Sequence, residues 1–263
     1  AALAGIAICA AESAGLPPGA MALVAGGGTE ELAELATQTG VVDLIIPRGG
    51  ERLKAALKGV ATVPVIYAAS GNCHVYVDAT ADLEAAEAII LNAKVQKPSV
   101  CNAAEKLLVH SSVAEEFLPG ALGALAAAGV TLRGDERARA AAGEAPVGEA
   151  SDADWDTEFL ALELAVGVVD SVQEAIDHIN LHGSGHSEAI VTRDTEAARA
   201  FELGVDAACV YVNASTRFTD GGEYGMGAEI GNSTQKLHAR GPIGVRELCT
   251  FKYLVEGSGQ IRP

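Results

Sequence analysis

The chain has 263 residues, 49% of them apolar, and sets 18 Lys+Arg against 35 Asp+Glu for a formal net charge of −17. That acidity excludes a nucleic-acid binder, which needs a basic footprint on the phosphate backbone, and attachment to an anionic membrane surface. No run reaches the ~18 uncharged apolar residues that span a bilayer, and 4% aromatics with 30 Gly point to an α/β protein with tight turns rather than an aromatic-rich sandwich.

Residues 1–14 read as an Ala-rich helix ended by Gly15 and the Pro17-Pro18-Gly19 turn. This helix has no N-cap, and neither an initiator Met nor a basic leader precedes it, so the expectation is that an upstream segment is absent. Met21–Val24 is expected as a short strand, and Thr29 as the N-cap of a helix with Leu32, Leu35 and Ala36 at helical spacing. Residues 41–46 form a nearly continuous apolar run of the buried-strand type, followed by Arg48-Gly49-Gly50, a helix over 51–58 and a strand at 64–67. This alternation is that of βαβ units on a parallel sheet.

A further strand is expected at 74–78, then a helix over 82–95 with Leu83, Ala86, Ile90 and Ala93 on one face. Residues 103–118 and 121–128 read as helical, and 133–154 as a loop region. A helix over 170–182, a strand at 189–192, a helix over 195–203 and a buried strand at 209–213 complete the regular part. Thr250–Val255 alternates with period two, which suits an edge or oligomer strand.

The five Cys, at 9, 73, 101, 209 and 249, contain no C-x-x-C pair. They indicate neither a disulfide framework nor a zinc site, and suit a reducing cytosol. Cys101, in Lys97-Pro98-Ser99-Val100-Cys101-Asn102, is expected just ahead of a helix, where the dipole and free N–H groups favour a thiolate and an oxyanion. A small buried hydrophobe is the other reading of this residue. Arg48-Gly49-Gly50, between a strand and a helix N-terminus, suits either a phosphate cradle or a plain turn.

The polar loop Asn213 to Gly222 is expected at the carboxyl end of a strand, where α/β proteins place ligands. Lys236, His238 and Arg240 are basic groups in an acidic chain, and suit an anionic ligand or surface ion pairs. Two glycines between His182 and His186 remove the helical spacing that a metal motif needs, so no metal is expected. Glu158 by itself reads as a solvated edge residue.

With these segments in view, the chain resembles the gamma-glutamyl phosphate reductase family of the aldehyde dehydrogenase superfamily. The segments that carry the resemblance are Ile45–Gly50, Cys73–Asp78, Gln96–Asn102, Tyr211–Gly222 and Ser233–Pro242. It runs the length of the chain but corresponds to the later part of a family member. The upstream strands of the cofactor domain, and the Asn that helps form the superfamily's oxyanion hole, would lie before Ala1.

The resemblance implies an α/β, aldehyde dehydrogenase-like fold, with a parallel-sheet cofactor domain and an α/β catalytic domain. It divides the chain into 1–79 (the remainder of the NADP-binding domain), 80–216 (catalytic), 217–240 (a return to the cofactor domain) and 241–263 (an oligomerisation arm). It implies a cytoplasmic, homo-oligomeric enzyme that reduces L-glutamyl 5-phosphate with NADPH, in proline biosynthesis, through a Cys101 thioester. Arg48, Gly49, Gly50 and Glu158 would meet the cofactor, and Asn102, Arg217, His238 and Arg240 the substrate.

Hydrolytic relatives place a Glu base about where this chain has Ala68-Ala69-Ser70-Gly71, and its absence suits a reductase whose thioester must outlast water. The competing expectation is a non-catalytic piece of such an enzyme. A chain lacking its first strands would expose the strand near residue 21, associate, and bind NADPH weakly.

Overall fold

A computed structural model of the chain describes residues 1–24, 26–49, 51–68 and 70–263, with Glu51 described by its backbone alone. These residues form two compact units, 1–65 and 66–263. The division falls ahead of the expected boundary at 79, because Cys73–Val77 belongs to the sheet of the second unit.

The first unit holds α1 (Ala2–Ser13), α2 (Thr29–Ala36) and α3 (Glu51–Val60). α1 buries none of its side chains. The N-cap of α2 is Gly28 rather than Thr29, and Gly28 N–H donates to the Glu31 carboxylate at 3.0 Å. The strands expected at 41–46 and 64–67 reduce to single parallel bridges, Thr39 to Val42 and Ile45 to Val65. Residues 21–24 form no strand. Apolar runs alone do not make strands; a strand needs consecutive ladder partners. Thr62 and Val63 both donate to Ala36 C=O, at 3.0 and 3.1 Å, which ties the end of α3 to α2 around buried Ala36, Leu57 and Val63.

The second unit contains β1 (Cys73–Val77), α4 (Leu83–Val95), β2 (Ala104–His110), α5 (Ser111–Ala127), β3 (Thr131–Gly134), α6 (Glu136–Ala140) and β4 (Val147–Glu149). These are followed by α7 (Asp152–Asp156), β5 (Glu163–Val169), α8 (Val172–His182), β6 (Ser187–Val191), α9 (Thr195–Gly204) and β7 (Cys209–Val212). A two-stranded antiparallel pair, β8 (Asn232–Ser233) and β9 (Gly241–Pro242), closes the described elements.

The seven-stranded sheet is parallel throughout, in the order β4-β3-β5-β2-β1-β6-β7. Alternation along its central strands feeds two cores. Val75, Val77, Leu107 and Val109 pack with Ile90 of α4 and Phe117, Leu118 and Leu122 of α5. Tyr76 and Leu108 turn the other way and pack with Ile176 and Ile179 of α8 and Phe201 of α9. Burial on both faces explains why these strands read as continuous apolar runs.

Three expectations fail here. Residues 104–110 are a central strand, not part of a helix over 103–118. Glu105 and Lys106 interrupt the apolar run, and pairing to β1 and β5 overrides the helical propensity of Ala and Leu. The region 133–154 is no loop, since α6 and β4 fall within it and β3 and α7 overlap its ends; these elements are too short to show a period. Residues 250–255 form no strand, and Phe251, Tyr253, Leu254 and Val255 are 81–89% exposed.

Among the described residues, no helix is long and apolar enough to cross a membrane.

Candidate active site

The chain enters β2 through the turn Cys101-Asn102-Ala103, so Cys101 does not stand at a helix N-terminus. It lies at the amino ends of β1 and β2. Gly71, just ahead of β1, packs directly on it: a Cβ on Gly71 would overlap the Cys101 carbonyl and lie 2.6 Å from Cys101 Cα. Gly71 N–H donates to Glu158 Oε1 at 2.6 Å, which brings the Glu158 carboxylate to the same turn. The neighbouring buried thiol, Cys73 Sγ, donates to Cys101 C=O at 3.2 Å.

Cys101 is half-buried. Burial pushes its thiol upward, the carboxylates of Glu158 and Glu229 add to that, and the Arg217 charge pulls it down. Without the helix dipole, Arg217 is the cation that favours the thiolate. Cys73 is fully buried, and burial with the Glu188 carboxylate holds its thiol far up, so it is the inert member of the pair.

Asn102 is fixed from all sides. Its Nδ2 donates to Thr219 C=O at 2.9 Å and Arg217 C=O at 3.3 Å. Its own C=O accepts from Thr216 Oγ1 at 2.7 Å, and its Oδ1 accepts from Arg217 Nη1. Arg217 Nε donates to Gln96 Oε1 at 2.8 Å. The polar groups of Asn102 therefore serve the architecture, while Arg217 Nη2 has no protein partner among the described residues.

The 213–219 segment reaches this turn by crossing back over the sheet. Asn213 takes φ 55° after β7, and its side chain exchanges two hydrogen bonds of 2.9 Å with the Thr192 backbone, at the carboxyl end of β6. Six residues later Thr219 Oγ1 meets Ser187 Oγ at 2.6 Å, at the amino end of β6. Local sequence gave the polar loop but not this return. The hydroxyls of Thr216 and Thr219 and the packing of Gly71 were not expected as site features; a Gly directly before a buried strand was the available cue for the last.

In the second unit, the expected residues Arg240 and His238 are held by partners outside this cluster. Arg240 is held by Asp206, with Nη1 on Oδ1 at 2.9 Å and Nη2 on the backbone C=O at 3.0 Å, and Lys236 Nζ takes Asp206 Oδ2 at 2.6 Å. Lys236 and Arg240 thus both pair with Asp206. His238 is exposed, and its Nε2 donates to Glu247 C=O at 2.7 Å. Arg48 and Gly49 are exposed in the first unit, immediately before α3, and Gly50 lies outside the described residues, as does Ala69 of the 68–71 stretch. Among the described residues, no group of three or more His, Cys, Asp or Glu is placed to hold a metal.

A model of the aldehyde dehydrogenase family matches residues 1–142. The chain is 53% identical over 252 residues to a gamma-glutamyl phosphate reductase of Syntrophomonas wolfei, and 56% identical over 253 residues to one of Moorella thermoacetica. Each match covers 96% of this chain and 60% of the relative, so the chain spans about 60% of the length of these relatives. The crystal structure of a gamma-glutamyl phosphate reductase from Thermotoga maritima superposes with a TM-score of 0.93 at 45% identity, covering 100% of this chain and 63% of that one.

Proposed function

The chain belongs to the aldehyde dehydrogenase family, and from that premise we propose that it carries the thiol of an NADPH-dependent reductase acting on L-glutamyl 5-phosphate, yielding L-glutamate 5-semialdehyde and phosphate in proline biosynthesis. The observation that carries the reading is Cys101, half-buried in a turn packed on Gly71 and acted on by the Glu158 and Arg217 charges, in a chain 53–56% identical to gamma-glutamyl phosphate reductases.

Cys101 Sγ, as thiolate, attacks the acyl carbon. The C–S bond forms as the bond to the phosphate oxygen breaks, and phosphate leaves with the electron pair. Arg217 favours the thiolate, and its Nη2 offers the donors of a planar fork to the acyl phosphate or the substrate carboxylate. Asn102 holds Arg217 in place, while Arg240, committed to Asp206, is the weaker candidate for the anion. His238 stays a peripheral candidate.

The residues suit a nicotinamide cofactor. Glu158 Oε2 has no protein partner among the described residues and can accept from a ribose hydroxyl. In the first unit, taken by itself, Arg48 and Gly49 are exposed ahead of α3, whose first N–H groups suit a phosphate. The cofactor supplies the hydride when bound. Cys101 holds the acyl group as a thioester until then, and is returned as thiolate, with the C–S electron pair, when the aldehyde leaves. Ala68, Ala69 and Ser70 carry no carboxylate to activate water against that thioester. The exposed apolar tail at 251–255 suits contact between copies, and the enzyme is read as a cytoplasmic homo-oligomer.

The test is phosphate- and NADP-dependent oxidation of glutamate semialdehyde, followed by nicotinamide absorbance, in this chain and in an N-terminally extended one. Turnover is expected with the extended chain and lost in Cys101→Ala. Turnover that survives Cys101→Ala, or that ignores phosphate, overturns the reading.

A further inference from the structure

We propose that the Thr216 hydroxyl is a positioning group for the Cys101 thiol, held at its station by a run of hydroxyls that fastens Thr219 to the sheet; the proposal rests on Cys101 being the nucleophile. Cys101 lies in a turn with no helix or ladder of its own. What fixes the turn is reciprocal: Thr216 Oγ1 donates to Asn102 C=O at 2.7 Å, and Asn102 Nδ2 donates to Thr219 C=O at 2.9 Å. Thr216 is fully buried and Thr219 nearly so, so water does not replace either hydroxyl.

Thr219 Oγ1 is bound in turn by Ser187 Oγ at 2.6 Å and Tyr211 OH at 2.7 Å. Ser187 Oγ continues to His186 Nδ1 at 2.7 Å, and Tyr211 OH to Tyr224 OH. The run therefore anchors the 216–219 segment to β6 on one side and β7 on the other. A hydroxyl has one proton and two lone pairs, so each member can serve two neighbours at once. The place of the Cys101 turn against Gly71 is set from a rigid sheet through this segment, and not by the turn itself.

Loosening the turn admits water to a thiol now pushed up by burial, and displaces it from the line of attack. The experiment compares Thr216→Val with Thr216→Ser in the extended chain. It reads the semialdehyde oxidation and, by peptide-resolved mass spectrometry, the pH profile of Cys101 alkylation by iodoacetamide. Thr216→Val is expected to lower kcat about tenfold or more, with KM within about twofold. It is also expected to move the alkylation midpoint down by about half a pH unit or more. Thr216→Ser restores both.

An unchanged midpoint and kcat, a change in KM alone, or no rescue by Ser would overturn the proposal. The alkylation profile needs only the thiol. Turnover surviving in Cys101→Ala would thus defeat the proposed reaction, while the profile still judges the positioning. If Thr216→Val does not fold by thermal melting, Thr219→Val removes the anchoring hydroxyl and is read by the same measurements.

Discussion

Gly71 lies against Cys101 so closely that a methyl group on it would overlap the Cys101 carbonyl. The same Gly71 N–H is taken by Glu158, so one backbone position joins the Cys101 turn to that carboxylate. The constraint is contact with backbone, which cannot rotate away. Gly71→Ala is expected to lower turnover by about a hundredfold and to cost about 1–3 kcal/mol of stability by overpacking. Urea unfolding and the semialdehyde assay measure the two effects. Near-normal activity with an unchanged unfolding midpoint would show that the turn yields freely.

The thiols should separate sharply. Cys101→Ala should abolish turnover and leave the melting temperature nearly unchanged, because the side chain is only half-buried. Cys73→Ser keeps a donor toward the Cys101 carbonyl, so its loss should be modest, as should that of Cys209→Ala and of exposed Cys249→Ser. A rate loss in Cys73→Ser equal to that of Cys101→Ala would remove Cys101 from its special place.

Glu158→Gln retains an oxygen for Gly71 N–H but removes a negative charge that holds the Cys101 thiol up. The alkylation midpoint of Cys101 should therefore fall, and alkylation at neutral pH should accelerate. A midpoint that stays or rises would mean that the Glu158 charge does not hold the thiol up.

Burial pushes the His186 imidazole down to about 4. Its folded value lies below the unfolded one, near ~6.5. The unfolded chain therefore takes up the proton first as pH falls, and the stability present above ~6.5 is lost between there and about 4. His178, lowered to about 3 by burial and by the His74 and His182 charges, acts in the same direction. Glu188, raised by burial, acts in the opposite one, so the difference from a variant is the clean measurement. Urea midpoints of the natural chain and of His186→Gln should converge as pH drops from 7 to 4. Parallel curves would show that folding does not lower the His186 imidazole.

Lys94 and Glu105 form a pair at 2.8 Å with neither side chain exposed. Burial pushes the Lys94 amine down and the Glu105 carboxyl up, each against the pull of the other. Glu105 Oε1 also accepts from the N–H of Leu160, which has φ 54°. Lys94→Met should cost about 3–5 kcal/mol by leaving the carboxylate alone. Lys94→Met with Glu105→Gln should recover much of it, because the amide still serves Leu160. Calorimetric or urea unfolding of the two variants decides; a double variant no better than the single would locate the cost in lost packing.

Much of this protein was determined by local sequence. β1, α4, α8, α9 and β7 follow from hydrophobic period and from caps such as Asp82, Ser171 and Asp194, whose side chains accept the first-turn N–H groups. Cys101 and the polar 213–222 loop stand out for their residue types alone. Only the tertiary structure made a strand of residues 104–110, because its evidence is the partners β1 and β5 rather than its own composition. It also withheld strands at 21–24, 41–46 and 250–255, where apolar residues find no consecutive ladder among the described residues. And it alone decided the surroundings of the thiol. Gly71, Glu158 and Thr216 are 30, 57 and 115 residues from Cys101 in sequence. No local pattern encodes such distances; ladder register and a loop recrossing the sheet set them.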